Sequence, residues 1–343
     1  MKFDFSIGNP PYQESTEGTS DKPVYNFFMD EAYKIADKVV LITPARFLFD
    51  AGKTSKAWNE KMLYDKHLKV LEYESDSRQI FPNTDITGGI AITYRDNNKE
   101  IGPIGIYSNF SEINSILPKI IHSSNNRNIT NFIFQQSKFE LNTLLNDYPN
   151  YKNIIGSNGT EKRLTTKIFD QLDVFAQSKQ NPTDYEIYGL VNNKRVSRYI
   201  PQKYISKNKW QEQYKVVVPS SNGSGAIGEV IPTPLIGQPF VGKPNSGFTQ
   251  SFIGFGPFIS QDEAENCLKY IKSKFARCML GILKVTQHNH LDTWKYVPLQ
   301  DFSSNSDIDW NVSIANIDRQ LYKKYGLSDE EINFIETHVK EME

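Results

Sequence analysis

The first hundred residues alternate between strand-like and helix-like spacing of hydrophobic positions. This alternation is typical of an α/β domain with a parallel sheet. Residues 23–36 place Tyr25, Phe28, Met29, Ala32 and Ile35 on one predicted helical face, with Pro23 in the first turn. In chain order, the predicted elements are a strand at Phe3–Ile7, that helix, a strand at Val39–Ile42 buried on both faces, a helix near 53–65, and strands at Leu68–Tyr73 and Gly89–Tyr94.

The pattern changes after Pro103. Residues 109–210 are polar, with predicted helices near 111–121 and 160–176, and residues 214–260 have the Gly- and Pro-rich texture of strands and turns. Helical spacing returns over 261–284 and in the last segment. Capping boxes are predicted at Ser260/Glu263 and Ser328/Glu331. The length of 343 residues suggests two domains.

Charge is distributed unevenly along the chain. The whole sequence has 39 Lys and Arg against 40 Asp and Glu, a net charge of −1, which argues against a uniformly polycationic nucleic-acid binder. Residues 1–108 carry −3, residues 109–300 carry +8, and residues 301–343 carry −6. A basic middle segment therefore remains compatible with DNA binding, and the acidic end is predicted to be a helical tail docked on it.

Other sequence features favour a soluble cytoplasmic protein. No stretch approaches the roughly 18 apolar residues of a membrane span, and the N-terminus lacks a signal-peptide pattern. Cys267 and Cys278 are the only cysteines and are predicted to lie in the core. His288 and His290 have no Cys or carboxylate ligands nearby in the sequence, so no metal is expected.

The segment Asn9-Pro10-Pro11-Tyr12 directly follows the first predicted strand. The two prolines stiffen this turn and remove backbone donors, so that its carbonyl oxygens point outward. The Asn9 side-chain oxygen and the Pro10 carbonyl can then accept hydrogen bonds from one exocyclic amine, while Tyr12 stacks on the attached ring. An ordinary proline-rich turn with a packing tyrosine is the alternative.

The segment FDFSIGNPPYQ closely resembles catalytic motif IV of the amino-group methyltransferases that use S-adenosylmethionine. The best overall resemblance is to the γ-class N6-adenine DNA methyltransferase portion of fused type II (IIG-like) restriction–modification enzymes, followed by their target-recognition domain. Other segments resemble this family in order: motif V at Tyr25–Phe28, strand five and its loop at Val39–Phe49, motif VII at Leu68–Phe81, motif VIII at Thr87–Ile90, and the end of the target-recognition domain in 261–343.

The resemblance implies a fold, a set of domains and a site. Its fold is the C-terminal half of a doubly wound, Rossmann-like methyltransferase sheet followed by a mixed α+β target-recognition domain. The implied domains are 1–108, 109–302 and an acidic helical tail at 303–343. The implied roles are catalysis for Asn9, Pro10, Pro11 and Tyr12, cofactor binding for Asn9, Tyr25 and Phe28, and lining of the base pocket for Gly88 and Gly89.

The family's glycine-rich cofactor motif precedes NPPY, but only eight residues precede Asn9 here. Gly223–Gly228 spells GxGxxG, yet Pro232 and Pro234 prevent the helix that such a loop should open. We therefore expect the main S-adenosylmethionine motif to be absent from this chain. The chain alone is predicted to be inactive until a cofactor-binding half or subunit is supplied.

Basic residues alternate with aromatic ones in the middle of the chain, where phosphate and base contacts need that mixture. Double-stranded DNA is the predicted partner, and a solvated surface is the alternative. The aromatic members are Tyr185, Tyr188, Tyr199, Tyr204 and Trp210. The predicted DNA-binding residues are Lys162, Arg163, Lys194, Arg195, Arg198, Lys203, Lys207 and Lys209.

Two other functions remain open from the sequence. One is a non-catalytic DNA-recognition module from a truncated or split gene. The other is a protein-glutamine or ribosomal-RNA methyltransferase, since NPPY also orients other amino groups. The roughly 240 residues after the last predicted sheet strand favour DNA over the protein-glutamine enzymes. No lysine follows an acidic residue at the acid-x-Lys spacing of restriction nucleases, so any endonuclease is expected elsewhere.

Overall fold

The computed structural model contains two compact units, Met1–Asn114 and Ser115–Glu343. It describes all residues except 1, 15–21, 50–52, 83, 85, 87, 109, 125–126, 157–158, 223–226, 228–233, 285–287 and 343. Most of the GxGxxG segment therefore lies outside the described residues. No described helix is long and apolar enough to cross a membrane.

The first unit has the predicted order of strands and helices. Each of the six predicted elements has a counterpart. Its elements are β1 (Phe3–Gly8), β2 (Gln13–Glu14), β3 (Lys22–Pro23), α1 (Tyr25–Ile35), β4 (Ala36–Pro44), α2 (Lys56–Leu63), β5 (Leu68–Glu74) and β6 (Ile90–Asp96), and the division between the units falls within α3 (Ser111–Ser123).

The main sheet of this unit has the strand order β1-β4-β6-β5. β1 and β4 are parallel, with Phe5 opposite Lys38 and Gly8 opposite Leu41. β6 runs antiparallel to both β4 and β5. The prediction of a parallel sheet is thus right for one strand pair only. Alternation of strands and helices could not reveal the direction of β6, because direction depends on how the chain returns to the sheet.

The sheet is covered by helices on one face. Val39 and Leu41 are buried there with Met29 of α1 and Met62 of α2. Burial of β4 on both faces was predicted, and this is wrong, because Val40 and its neighbours on the other face are only half-buried. A hydrophobic run of four residues does not show whether both faces are covered.

The uncovered face carries the apolar side chains of β1. Phe3, Phe5 and Ile7 are 51%, 62% and 78% exposed. The strand register puts them on the same face as Lys38 and Val40, and the Lys38 ammonium lies 5.2 Å from the centre of the Phe5 ring. We call Phe3, Phe5 and Ile7 the open apolar face.

The buried side of α1 differs from the predicted helical face. Tyr25, Met29 and Ala32 are buried as expected, but Phe28 and Ile35 are about half exposed. They lie at the margin of the hydrophobic stripe, beyond the width that contacts the sheet. Pro23 belongs to β3, paired with Gln13, and not to the first turn of the helix.

The described part of the second unit contains two small sheets and several helices. One sheet has the order β11-β10-β13-β7 and another β12-β8-β9. Its elements are β7 (Ile133–Phe134), α4 (Leu141–Asp147), α5 (Ile168–Gln171), β8 (Tyr185–Val191), β9 (Lys194–Ile200), β10 (Tyr214–Pro219), β11 (Phe240–Gly242), β12 (Ser246–Phe248), β13 (Phe252–Phe258), α6 (Gln261–Lys272), α7 (Lys274–Gly281), α8 (Ile314–Lys324) and α9 (Asp329–His338).

The predicted helix at 160–176 is wrong except for the four residues of α5. Leu164, Ile168 and Leu172 have helical spacing and are all buried. However, the backbone before α5 is used in pairing, because Arg163 forms an antiparallel bridge with Lys138. These three residues are buried at a spacing of four, although most of the segment is not helical. Hydrophobic spacing alone cannot distinguish such an irregular segment from a helix.

The predicted helix at 261–284 is divided at Ser273, whose hydroxyl accepts a hydrogen bond from the Ala276 amide and caps α7. The acidic tail docks through buried groups. Asp318 of α8 accepts hydrogen bonds from the amides of Lys274 and Phe275 at 3.0 and 2.9 Å. The predicted capping box at Ser328 and Glu331 is present. The tail is thus packed against the helices before it.

Candidate functional site

One edge of the first unit's sheet gathers the segments that the sequence singled out. β1 ends at Gly8, directly before Asn9, and β4 ends at Pro44. Because β6 is antiparallel to β4 and pairs Ile90 with Pro44, Gly88 and Gly89 precede β6 at this same edge. Ligands of open α/β sheets commonly bind at the carboxyl ends of parallel strands.

The turn Asn9–Tyr12 is partly exposed at the end of β1. Asn9 is exposed, and Pro10 and Tyr12 are half-buried. The Tyr12 carbonyl accepts a hydrogen bond from the Val24 amide at 3.1 Å, which ties the turn to the chain just before α1. The residues of this turn are therefore held on a sheet end rather than on a free loop.

The Tyr12 ring packs against the hydrophobic core of the unit. Its hydroxyl is buried and has no hydrogen-bond partner among the described residues. Burial raises the pKa of Tyr12, and the neighbouring Asn9 side chain lowers it in part without completing a hydrogen bond of normal geometry. An unsatisfied buried hydroxyl costs free energy, and this atom can bond a ligand only after the packing around it opens.

Gly88 and Gly89 have positive φ angles of 92° and 75°. A side-chain carbon at Gly89 would lie 2.3 Å from the Glu74 carbonyl oxygen, and one at Gly88 would lie 2.7 Å from the Arg46 side chain. The Gly89 carbonyl accepts a hydrogen bond from the Ala45 amide at 3.0 Å. These glycines therefore bring the loop before β6 into close contact with the ends of β4 and β5.

Three aromatic side chains at this edge were not identified from the sequence. Phe49, Tyr73 and Tyr107 contact one another edge to face, with ring centroids 5.4 to 5.9 Å apart. The Tyr73 hydroxyl lies 3.5 Å from the Gly88 carbonyl, and burial raises the pKa of Tyr73. Tyr73 had a signal as the last residue of a predicted strand, and Phe49 as the last residue of the segment that resembles strand five and its loop, but neither was assigned a role. The trio forms a half-buried aromatic surface beside the glycines.

The two aromatic residues predicted to bind a cofactor differ in burial. Tyr25 is 4% exposed and packs edge to face on Trp58 at 5.9 Å. Burial raises the pKa of Tyr25, while Thr54 and Arg46 lower it. Phe28 is half exposed. Their roles remain predictions, and Tyr25 can contact a ligand only after the core rearranges.

In the second unit, three of the eight predicted DNA-binding residues meet around one strand segment. The Phe139 amide donates to the Lys162 carbonyl at 2.8 Å, and Arg163 is the bridge partner of Lys138. On the other side of this segment, the Ser206 amide donates to the Lys138 carbonyl. Lys207, the residue after Ser206, therefore also lies near Lys138. Lys138, which was not predicted, thus lies between Lys162, Arg163 and Lys207.

The other predicted basic residues have different surroundings. Lys203 forms an ion pair with Asp147 at 2.5 Å, which raises the pKa of the lysine. Arg195 lies over the Phe240 ring at 4.2 Å. Arg198 is half-buried and donates to its neighbour's carbonyl, while Lys194 and Lys209 are exposed. Four of the interleaved aromatic residues are buried, so these rings act as core: Tyr185, Tyr188, Tyr204 and Trp210.

A metal centre has no candidate in the part of the chain that the structure describes. No group of three or more His, Cys, Asp or Glu residues there could hold an ion. His288 and His290 lie with their rings 5.4 Å apart.

Comparisons with known proteins support the sequence resemblance. Residues 1–81 match the Eco57I restriction-modification methylase family. An uncharacterized adenine-specific methylase of Mycoplasma pneumoniae (strain ATCC 29342 / M129 / Subtype 1) is 32% identical over 117 residues, which are 33% of this chain and 28% of that protein. The predicted resemblance to an adenine methyltransferase of a restriction–modification system is thereby confirmed.

Two solved structures are also similar over most of this chain. One is the type IIG restriction endonuclease BpuSI, with a TM-score of 0.32 and 12% identity, covering 93% of this chain and 50% of that one. The other is the type IIL restriction-modification enzyme MmeI in complex with DNA, with a TM-score of 0.33 and 10% identity, covering 97% of this chain and 56% of that one. Scores this low do not establish a common fold. The chain spans about half the length of these proteins and 28% of the curated relative.

Proposed function

We propose that this chain, whose residues 1–81 match the Eco57I restriction-modification methylase family, is part of a site-specific DNA methyltransferase that modifies adenine N6. The observation that carries the proposal is the Asn9–Tyr12 turn at the carboxyl end of β1, next to a parallel strand. It combines the family's motif with the location in an α/β sheet where ligands bind.

The proposed chemical roles use two acceptors of the turn, on the exposed Asn9 and the half-buried Pro10. The Asn9 side-chain oxygen and the Pro10 carbonyl accept hydrogen bonds from the adenine amine and orient its nitrogen lone pair. An adenine reaches this edge only when it leaves the duplex stack. Tyr12 then stacks on the base, and the loop at Gly88 and Gly89 closes the opposite side. Catalysis rests on positioning and on preorganised acceptors, without a covalent intermediate.

S-adenosylmethionine is the methyl donor that the family implies. The residues predicted to bind it do not form a complete site, because Tyr25 is packed in the core while Phe28 is half exposed. The first unit also shows no glycine-rich loop at the end of β1 or β4 among its described residues. We therefore propose that a further cofactor-binding half or subunit holds it.

The open apolar face supports this need for a second half. Sheets with parallel strands are normally covered by helices on both faces, and here the described helices cover one. β1 is also an edge strand whose outer backbone groups lack a strand partner among the described residues. We propose that this sheet is the C-terminal half of a doubly wound methyltransferase sheet and that β1 pairs with a strand of the cofactor-binding half.

We propose residues 109–302, most of which lie in the second unit, as the target-recognition part, and residues 303–343 as a docked tail. Its partner is double-stranded DNA, through the cationic cluster Lys138, Lys162, Arg163 and Lys207. The cytoplasm, which holds this substrate in bacteria, is the proposed location.

Methyl transfer to duplex DNA tests the proposal. The chain should transfer no labelled methyl group alone, and should do so when a cofactor-binding half is added. An Asn9→Ala variant should lower the rate of the reconstituted enzyme by about 100- to 1000-fold, as expected for loss of one oriented acceptor. An unchanged rate would identify a non-catalytic recognition module.

A further inference from the structure

A polar cleft of 290 Å³ lies in the second unit beside the strand segment described above. The stacked rings of Phe134 and Trp210, with centroids 4.4 Å apart, lie at its wall. Its polar lining consists of the side chains Gln135, Gln136, Ser137, Lys138, Ser206, Lys207, Asn208 and Gln211. The cleft therefore combines stacked aromatic rings with several hydrogen-bonding groups.

Some amide side chains of this cleft are already hydrogen-bonded within the protein, and others are not. Gln211 and Asn208 form a capping box, in which the Gln211 side chain accepts from the Asn208 amide at 3.0 Å. The Asn208 side-chain oxygen is occupied in the same box, so its NH₂ group is left in a fixed direction. Gln135 and Gln136 make no side-chain hydrogen bond within the described residues, and both amides keep a donor and an acceptor.

The charge around the cleft is positive. Lys138 and Lys207 line it, and Lys162 and Arg163 follow along the neighbouring bridged segment. None of these four cations pairs with a carboxylate in the described part of the chain. No acidic side chain lines the cleft. Uncompensated cations beside free amides match a ligand that presents phosphates next to base edges.

A second cleft of the same unit differs from the first in the charge of its lining. It is larger, at 610 Å³, but Glu263, Asp301 and Asp307 line it. One of its cations, Lys324, pairs with Asp307 at 2.8 Å. An anionic polymer would meet acidic groups there, so the smaller basic cleft fits nucleic acid better.

We propose that the cleft reads one purine of the recognition sequence from the groove of duplex DNA, with Gln136 or Gln135 bonding the base edge. Glutamine can donate to N7 and accept from N6 of adenine in the major groove, and the Asn208 NH₂ group donates to an adjacent base oxygen or nitrogen. Lys138, Lys207, Lys162 and Arg163 bind the flanking phosphates. The inference rests on the proposed function, and assigns the residues that select its site.

Selection from a random duplex DNA pool by the full chain tests this inference. The unaltered chain should enrich one consensus sequence. Gln136→Ala or Gln135→Ala should lower discrimination at one base pair by about 5- to 150-fold and leave the other positions unchanged. Lys138→Ala and Lys207→Ala should weaken binding to all sequences and each reduce the slope of log affinity against log salt by about 1.

Matched controls are available on the same unit. Gln171→Ala and Lys179→Ala remove exposed side chains outside the cleft and should change neither the consensus nor the salt slope. All altered side chains except Gln136 are exposed, so thermal unfolding should confirm that each variant folds.

The outcomes separate this inference from the proposed function. If both glutamine variants select the same consensus as the unaltered chain, the proposed role of the cleft is overturned and the proposed function is not. Equal competition by single-stranded DNA or RNA likewise overturns that role. Duplex binding without any preferred sequence also overturns it, while methylation by the reconstituted enzyme then decides the proposed function. Absence of duplex binding contradicts both.

Discussion

The open apolar face should make the isolated chain self-associate and bind hydrophobic dyes. Full burial of a Phe or Ile side chain contributes about 1.5–3 kcal/mol. Phe5 and Ile7 are 62% and 78% exposed, so that roughly two thirds of each side chain is still in water. Covering both would therefore stabilise an association by about 2–4 kcal/mol, or about 30- to 1000-fold in Kd.

The perturbation is the double variant Phe5→Ser with Ile7→Ser. Sedimentation velocity over a range of concentrations should show weaker self-association than for the unaltered chain, and the fluorescence of an added hydrophobic dye should fall. The free energy of unfolding should change by about 1 kcal/mol or less, because both side chains are exposed in an edge strand.

Ile259→Ser is the matched control, since Ile259 is 84% exposed but belongs to the second unit. This variant should keep the self-association of the unaltered chain. A monomeric unaltered chain that binds no dye would refute the reasoning, because the face would then have to be covered within the chain. Loss of several kcal/mol of stability in the double variant would refute it equally.

Three further changes have defined outcomes, each measured by urea unfolding. Gly89→Ala should cost about 1–3 kcal/mol, because the added carbon meets the Glu74 carbonyl at 2.3 Å, whereas Gly105→Ala has open space at a similar φ and should cost less. Burial raises the pKa of Asp318 to about 6 from an ordinary 3.8, so ionisation destabilises the folded state. The unaltered chain should lose up to about 3 kcal/mol as the pH rises from 4 to 7, and Asp318→Asn should not show this loss. Lys215→Met should cost about 2–4 kcal/mol, because the buried ammonium donates to three backbone carbonyls at 3.0 to 3.3 Å that would lose their donor.

The local elements of the first unit were predictable because each has its own signal. The alternation of Phe3–Ile7 predicted β1, and NPPY predicted the turn that follows it. Strand direction and coverage of the sheet were not predictable, since they depend on contacts between distant segments. Val39–Ile42 has the same hydrophobic run whether one face or two faces are covered.

The candidate site was partly predictable for the same reason. Asn9 and Gly88 come from separate segments that motif spacing identified, and the sheet brings both to one edge. Tyr107 had no local signal, because it belongs to neither a predicted strand nor a motif. In the second unit, Lys138 was missed since its basic neighbours are 24 and more residues away, and only the bridge to Arg163 brings them together.

The most direct test of the account is methyl transfer from labelled S-adenosylmethionine to adenine in duplex DNA. It compares the chain alone, the chain with a cofactor-binding half, and that mixture with Asn9→Ala. We expect full transfer to adenine N6 only in the second case, with none by the chain alone and a rate about 100- to 1000-fold lower with Asn9→Ala. Turnover by the chain alone, or full activity of the Asn9→Ala mixture, would contradict the assignment of Asn9–Tyr12 as the catalytic turn of an incomplete methyltransferase.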